Sequence, residues 1–493
     1  MNDAITTGMI TNPILPGFHP DPSICRVGED YYLVCSSFEY FPGVPIFHST
    51  DLIHWTQIGN VLDRPSQLRL AAAASSGGIY APTLRHHEGR FHLIVTNATS
   101  GEGNLLVTAT DPAGPWSEPV MLPGVPGIDP DLAWDEDGTC WCTVAGVGQV
   151  RLDSATGQTI GEPQRIWSGT SGAKAPEAPH LYRIGEYWYL LIAEGGTERG
   201  HGVSIARGPA PNGPFEPCPA NPILSHRSTD EPIQNTGHAD LVQAPDGSWW
   251  MVLLGVRPGG GTPGWHVLGR ETFLAPVTWV DDWPVVGELT VGRPVAPQPL
   301  RDDFDDSDLA PQWLSVRQRL DEDCTTKERP GWLTLKARGA CLDEPDVVFL
   351  GRRQQSQSCR IRTLVDGAEG VGGLAVRLDE RHHYEIEASP GQVQVIARIG
   401  PLRTVVATAA VPEGPVALGI DVVATTDIQD PRTGPDTVVL GLQGPDGEFT
   451  ALAELEGRYL STEVAGGFTG RVIGLYAASG TVRFDWFDHR DLG

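Results

Sequence analysis

From about residue 12 to residue 290, short segments led by proline or glycine give way in a regular frame to runs of aromatic and β-branched residues. Five segments share the frame: His19-Pro-Asp21-Pro-Ser-Ile, Ile79-Tyr80-Ala-Pro-Thr-Leu, Gly127-Ile-Asp129-Pro-Asp-Leu, Pro176-Glu177-Ala-Pro-His-Leu and Gly237-His238-Ala-Asp-Leu. A turn rich in Gly, Asp or Glu follows each, and then an apolar run: DYYLVCSS, RFHLIVTNA, TCWCTVAG, EYWYLLIAEGG and SWWMVLLGV. Proline recurs at one aligned place, Pro22, Pro82, Pro130 and Pro179, with Ala239 in the fifth unit. Each unit reads as a hairpin, a short strand that turns and returns with large side chains. A lone hairpin cannot bury its own faces. Five arranged radially can, and they leave only short edges, so residues 1–290 are predicted to form a five-bladed β-propeller.

After residue 290 the texture changes. A proline-bearing and then acidic stretch predicts a linker over 291–302. Beyond it, runs such as WLTLKA, SCRIRTLV, GGLAVRL, YEIEAS, QVQVIARI, VALGIDVV, RVIGLYA and TVRFDWF are separated by Gly, Pro and Asp turns. These predict a second all-β domain of sandwich type over 303–493.

Composition narrows the function. The 59 glycines and 42 prolines are dispersed, as turns between many strands require, and are not run together as in a disordered tract. The net charge of −27 repels phosphate backbones and anionic lipid, so nucleic acid and membrane surfaces are poor partners. No basic segment followed by an apolar core opens the sequence. No run of about 18 apolar residues is present either. Eight scattered cysteines without CxxC pairing fit reduced thiols, and the expected compartment is the cytoplasm.

In a propeller the first strand of each blade lines a central channel. The frame then places Asp21, Tyr80, Asp129, Glu177 and His238 at one mouth. Three carboxylates, an aromatic ring and a histidine thus converge on one axis. Like charges raise one another's pKa, so Glu177 is expected to have the highest pKa of the three acids. Asp131 shares a motif with Asp129, but strand alternation turns it aside or beneath, and it is read as structural.

The segments 12–55, GIDPDL (127–132), APEAPHLY (175–182), AEGGT (193–197), GHADLV (237–242) and LGRETFLAPVTW (268–279), in this order, resemble glycoside hydrolase family 43. Within that family the likeness is to the two-domain β-xylosidases, and it covers nearly the whole chain. The resemblance implies a five-bladed propeller followed by a β-sandwich of concanavalin A-like jelly-roll type. It implies Asp21 as general base, Glu177 as general acid and Asp129 as the carboxylate that orients the acid and adjusts its pKa. Phe38, Tyr80, Thr197, His238 and Arg270 match positions that shape the sugar pocket. Phe468 resembles part of a sandwich segment that closes over the pocket. The family often has Trp where this chain has Tyr80, which leaves sugar preference less determined than reaction type. The expected activity is release of terminal xylose from xylo-oligosaccharides with inversion. The alternatives are α-L-arabinofuranosidase activity, alone or in addition, and a non-catalytic sugar-binding propeller. No cofactor is required by this chemistry. A channel ion, calcium by its preference for oxygen ligands, would be structural. The second domain is expected to close the pocket or to mediate homo-oligomerisation.

Overall fold

In the computed structural model, residues 10–292, 300–339 and 341–492 are described. Most of the expected linker, residues 293–299, lies outside them. Two compact units are present. The first comprises Met1–Leu15, His19–Val256 and Arg270–Pro294, and the second comprises Pro16–Phe18, Arg257–Gly269 and Val295–Gly493.

The first unit contains five four-stranded antiparallel sheets, each taking its strands in chain order, with the short strand Tyr40–Phe41 left outside the sheet of blade 1. Their innermost strands are Ser23–Val27, Thr83–His87, Asp131–Trp134, Glu177–Ile184 and Gln234–Gln243, in blades 1 to 5. The aromatic runs form the second strands, Asp30–Val34, Arg90–Asn97, Cys140–Val144, Tyr187–Glu194 and Trp249–Val256. Their near-continuous hydrophobicity follows from their position. Arg90–Asn97, Tyr187–Glu194 and Trp249–Val256 are buried along almost their whole length, because blades cover both faces.

Five apolar clusters, one per blade junction, close the ring. Leu84 and Leu93 pack with Val34 and Ile46 between blades 1 and 2. Ile94 and Leu106 meet Leu132 and Cys142 between blades 2 and 3. Ala133 and Val147 meet Leu190 and Ile192. Leu191 and Ile205 meet Met251 and Leu253. Val252 and Leu274 meet Ile24 and Leu33, which joins blade 5 to blade 1. The N-terminal segment reinforces that closure. The Asn12 side chain exchanges two hydrogen bonds with the backbone of Leu274, at 2.9 and 2.8 Å, and Ile14 N–H donates to Thr272 C=O.

The second unit is built around two long antiparallel strands, Cys359–Asp379 and Val472–Asp491. The sequence predicts four shorter strands there. The glycines expected to turn the chain instead let it run on through bulges at Asp366/Glu369 and Val371/Gly372. A Cβ on Gly370 would lie 2.4 Å from the Ser479 carbonyl oxygen, so the two backbones approach where no side chain fits. One end of Cys359–Asp379 pairs with Val416–Ala424 and the other with His382–Ser389, so the long strands serve both layers of a sandwich. Leu374, Val376, Ile386, Val395, Ile420, Leu440 and Leu475 are among its core. Leu300–Asp302, the end of the expected linker, pair with Phe487–His489 as a strand of this unit. All eight cysteines are unpaired.

Candidate active site

Four of the five inner strands of the propeller begin with a backbone distortion. Asp21, Asp129, Ala178 and His238 have φ of 56°, 52°, 51° and 42°, the left-handed region that non-glycine residues rarely adopt. The first three precede proline, which disfavours a helical conformation for them and adds to the constraint. Such strain costs on the order of 1–3 kcal/mol per residue and persists only where surrounding contacts over-determine it. It recurs at the aligned position of four blades. In blade 4 the left-handed residue is Ala178, and Glu177 precedes it.

Asp21 is 5% exposed and bound on three sides. Arg270 Nη1 donates to Oδ1 at 2.8 Å, Ser36 Oγ donates to Oδ2 at 2.6 Å, and His238 Nδ1 stands 3.4 Å from Oδ1. Burial alone would raise the Asp21 pKa. The Arg270 charge, helped by His238 and the Ser36 hydroxyl, outweighs it and holds the carboxyl below its ordinary value. Burial also pushes His238 down to about 3 and the neighbouring His201 to about 4, so both rings are neutral at pH 7.

The other two acids are shifted the opposite way. Glu177 is pushed up to about 7 by burial and then by the Asp21 charge. Asp129 is pushed up to about 8 by burial, then by Glu177 and Asp21, while accepting a hydrogen bond from Ala178 N–H at 3.2 Å. Asp129, not Glu177, therefore has the highest pKa of the three. It is the more deeply buried, and two carboxylates bear on it rather than one. Burial and mutual repulsion thus favour the protonated forms of Glu177 and Asp129, whereas Arg270 favours the ionised form of Asp21.

The pocket residues expected in the propeller come together around this group. Arg270 Nη1 also donates to Thr197 Oγ1 at 3.1 Å, and its guanidinium lies 5.7 Å from the Phe38 ring centre. Phe38 and Tyr80 meet edge to face at 5.9 Å. Phe468 belongs to the second unit. It follows the short helix Thr462–Ala465 and is 37% exposed. Sequence reasoning missed Ser36, at the end of the blade 1 aromatic run, and His201, whose ring packs against the Gly237 backbone.

It also missed Arg85. Two residues along from Asp129 and His238, Asp131 and Asp240 point at the Arg85 guanidinium, each at 2.8 Å. The structural reading of Asp131 thus has a partner. A channel calcium would need six to eight oxygen ligands. Here Asp131 Oδ1 and Asp240 Oδ2 accept from the Arg85 guanidinium, and their other oxygens accept from Leu181 N–H and the Tyr182 hydroxyl, so these channel residues do not fit calcium. Among the described residues no group of three or more His, Cys, Asp or Glu is arranged to hold a metal ion.

Comparison with known proteins agrees with this architecture. The profile for glycosyl hydrolases family 43 matches residues 10–284, and that for the beta xylosidase C-terminal concanavalin A-like domain matches 301–490. A non-reducing end alpha-L-arabinofuranosidase of Bacteroides ovatus is 40% identical over 100% of this chain and 96% of its own. A xylosidase/arabinosidase of Butyrivibrio fibrisolvens is 38% identical over 95% of each chain. The crystal structure of a xylan beta-1,4-xylosidase from Bacillus halodurans superposes with a TM-score of 0.88 at 32% identity, covering 98% of this chain and 100% of that one. With a propeller followed by a sandwich and both profiles matched, the chain is a glycosidase that belongs to glycosyl hydrolase family 43.

Proposed function

We propose that this glycosidase releases a terminal pentose, xylose first, from the end of a short xylo-oligosaccharide with inversion at the anomeric carbon. The observation that carries this is the division of labour among the acids. Arg270 holds Asp21 anionic, while Glu177 keeps its proton up to about pH 7. Glu177 donates that proton to the glycosidic oxygen, and Asp21 removes one from the water that attacks from the opposite face. Asp129, protonated over the same range, positions the acid through the strand start at Ala178 and adds no competing charge. Tyr80 provides a ring face for the sugar with the buried Phe38 packed edge to face behind it, and Arg270, Thr197 and His238 provide polar contacts. No step requires a metal or a cofactor.

The relatives named as arabinofuranosidase and xylosidase/arabinosidase support a second activity on α-L-arabinofuranosides. The smaller, hydroxyl-bearing Tyr80 ring leaves room for it. Side-by-side kinetics on 4-nitrophenyl β-D-xylopyranoside and α-L-arabinofuranoside rank the two activities. Proton NMR of the first product tests the mechanism, because a retained anomer contradicts inversion. Full turnover in Asp21→Ala or Glu177→Ala overturns the assignment of roles. Oligosaccharide hydrolysis inside the cell is part of the proposal and rests on the eight unpaired thiols. Activity confined to the medium of intact cells contradicts it.

A further inference from the structure

Arg85 lies on the inner strand of blade 2, and its guanidinium binds the inner strand of every other blade. Nη1 donates to Ser23 Oγ of blade 1 at 3.2 Å and to Asp240 Oδ2 of blade 5 at 2.8 Å. Nη2 donates to Asp131 Oδ1 of blade 3 and to His180 Nδ1 of blade 4, both at 2.8 Å. His180 Nδ1 also stands 3.1 Å from Asp131 Oδ1, so the ring is held between the guanidinium and that carboxylate. Further bonds tie the knot. Ser23 Oγ donates to Asp240 at 2.8 Å, Leu84 N–H donates to Ser23 Oγ at 3.0 Å, and Leu181 N–H donates to Asp131 Oδ2 at 2.9 Å. Tyr182 donates its hydroxyl hydrogen to Asp240.

The bound residues follow the site in register. Ser23, Asp131, His180 and Asp240 stand two residues beyond Asp21, Asp129, Ala178 and His238, which are the four left-handed residues at the strand starts. Two strand residues span roughly 6.6 Å, so the guanidinium anchors each inner strand one side-chain layer along the channel from the site. Burial works against the Arg85 charge, yet Asp240 and Asp131 raise its pKa, so it is cationic at any working pH. In turn Arg85 holds the buried Asp240 well below the ordinary carboxylate range.

We propose that Arg85 is a positioning residue for the hydrolytic reaction and the resident cation of the propeller channel. It holds four strained strand starts in the arrangement that aims Asp21, Asp129 and Glu177 at one substrate, and it occupies the place where a divalent ion would otherwise bridge the blades. This inference rests on the catalytic roles proposed above. Its action is geometric. Without the knot the left-handed turns can relax, and a displacement near 1 Å at a reacting group costs about 100-fold in rate.

The test uses the full chain with Arg85→Met and Arg85→Lys, assayed on the nitrophenyl xyloside well below each variant's melting temperature. Arg85→Met is expected to lose about 100-fold in kcat while KM stays within about threefold, since the sugar contacts are untouched. Arg85→Lys keeps the charge and part of the bonding and is expected to recover about tenfold of that loss. Calorimetric titration of EDTA-treated wild-type protein with calcium is expected to show no stoichiometric binding, with kcat unchanged. A folded Arg85→Met with wild-type kcat overturns the positioning role, and stoichiometric calcium binding overturns the resident cation. Should Arg85→Met fail to fold by circular dichroism, Arg85→Lys decides. A lower kcat at constant KM supports the role, and an unchanged kcat overturns it. Full turnover in Asp21→Ala would instead sink the catalytic reading, and the calcium titration would still report on Arg85.

Discussion

Replacing Arg270 with Met should move the acidic limb of the pH profile upward. In the native protein the two side chains are each 7% exposed and 2.8 Å apart. A unit charge pair near 4 Å at an effective dielectric constant of about 20 interacts by about 4 kcal/mol. At 1.36 kcal/mol per unit, that corresponds to at most about 3 pKa units. Ser36 and His238 remain beside Asp21 in the variant and return part of this, so the expected rise is about 1 to 3 units. Stability follows the same sign. Native Asp21 has a folded pKa below its ordinary 3.8, so its contribution is present above that pH and lost as pH falls through the folded value. In Arg270→Met, burial puts the folded pKa above 3.8, so stability is lost as pH rises through the new value. The assay is kcat/KM on the nitrophenyl xyloside from pH 4 to 9, which reports the ionisations of free enzyme. Urea melts at pH 5 and pH 8 accompany it. An acidic limb displaced by less than about 0.3 unit would refute the claim that Arg270 keeps Asp21 ionised.

Three further outcomes are expected. Glu177→Gln should lose about 100- to 10,000-fold in kcat on xylobiose but about tenfold on the nitrophenyl xyloside, whose leaving group departs with little help from an acid. Equal losses on both substrates would argue against general acid catalysis by Glu177. Asp129 and Glu177 have folded pKa values of about 8 and about 7, above their ordinary 3.8 and 4.5, so wild-type stability should fall as pH rises through this range. Asp129→Asn should make the fall shallower by about 1.4 kcal/mol per pH unit between the ordinary and the folded pKa of Asp129, measured by urea melts between pH 5 and 8.5, and parallel curves would contradict it. Ser36→Ala removes a 2.6 Å hydrogen bond to the Asp21 carboxylate and should raise the acidic limb by about 1 unit. An unmoved limb would show that this hydroxyl does not stabilise the anion.

The amino-acid sequence by itself determined what depends on local pattern. A proline-led strand start, a tight turn and an aromatic return run are properties of short stretches, and their fivefold recurrence specified a propeller with Asp21, Asp129 and His238 at one aligned place and Tyr80 and Glu177 one residue before it. The aromatic runs correspond to the second strands because any strand buried on both faces must be apolar throughout. Tertiary structure alone decided the rest. Asp129 exceeds Glu177 in pKa because of its depth and of the charges on neighbouring blades, neither of which has a signature in GIDPDL. In the second unit, glycines that locally resemble turns became bulged crossings because another backbone lies against them. Arg85 is one basic residue in Thr-Leu-Arg-His-His, indistinguishable there from the histidines beside it. Only closure of the ring brings Ser23, Asp131, His180 and Asp240 to its guanidinium, across separations of up to 155 residues. Side-chain period and turn chemistry act over a few residues, whereas burial and Coulomb interaction act through space, so the second pair can be known only once the chain has closed on itself.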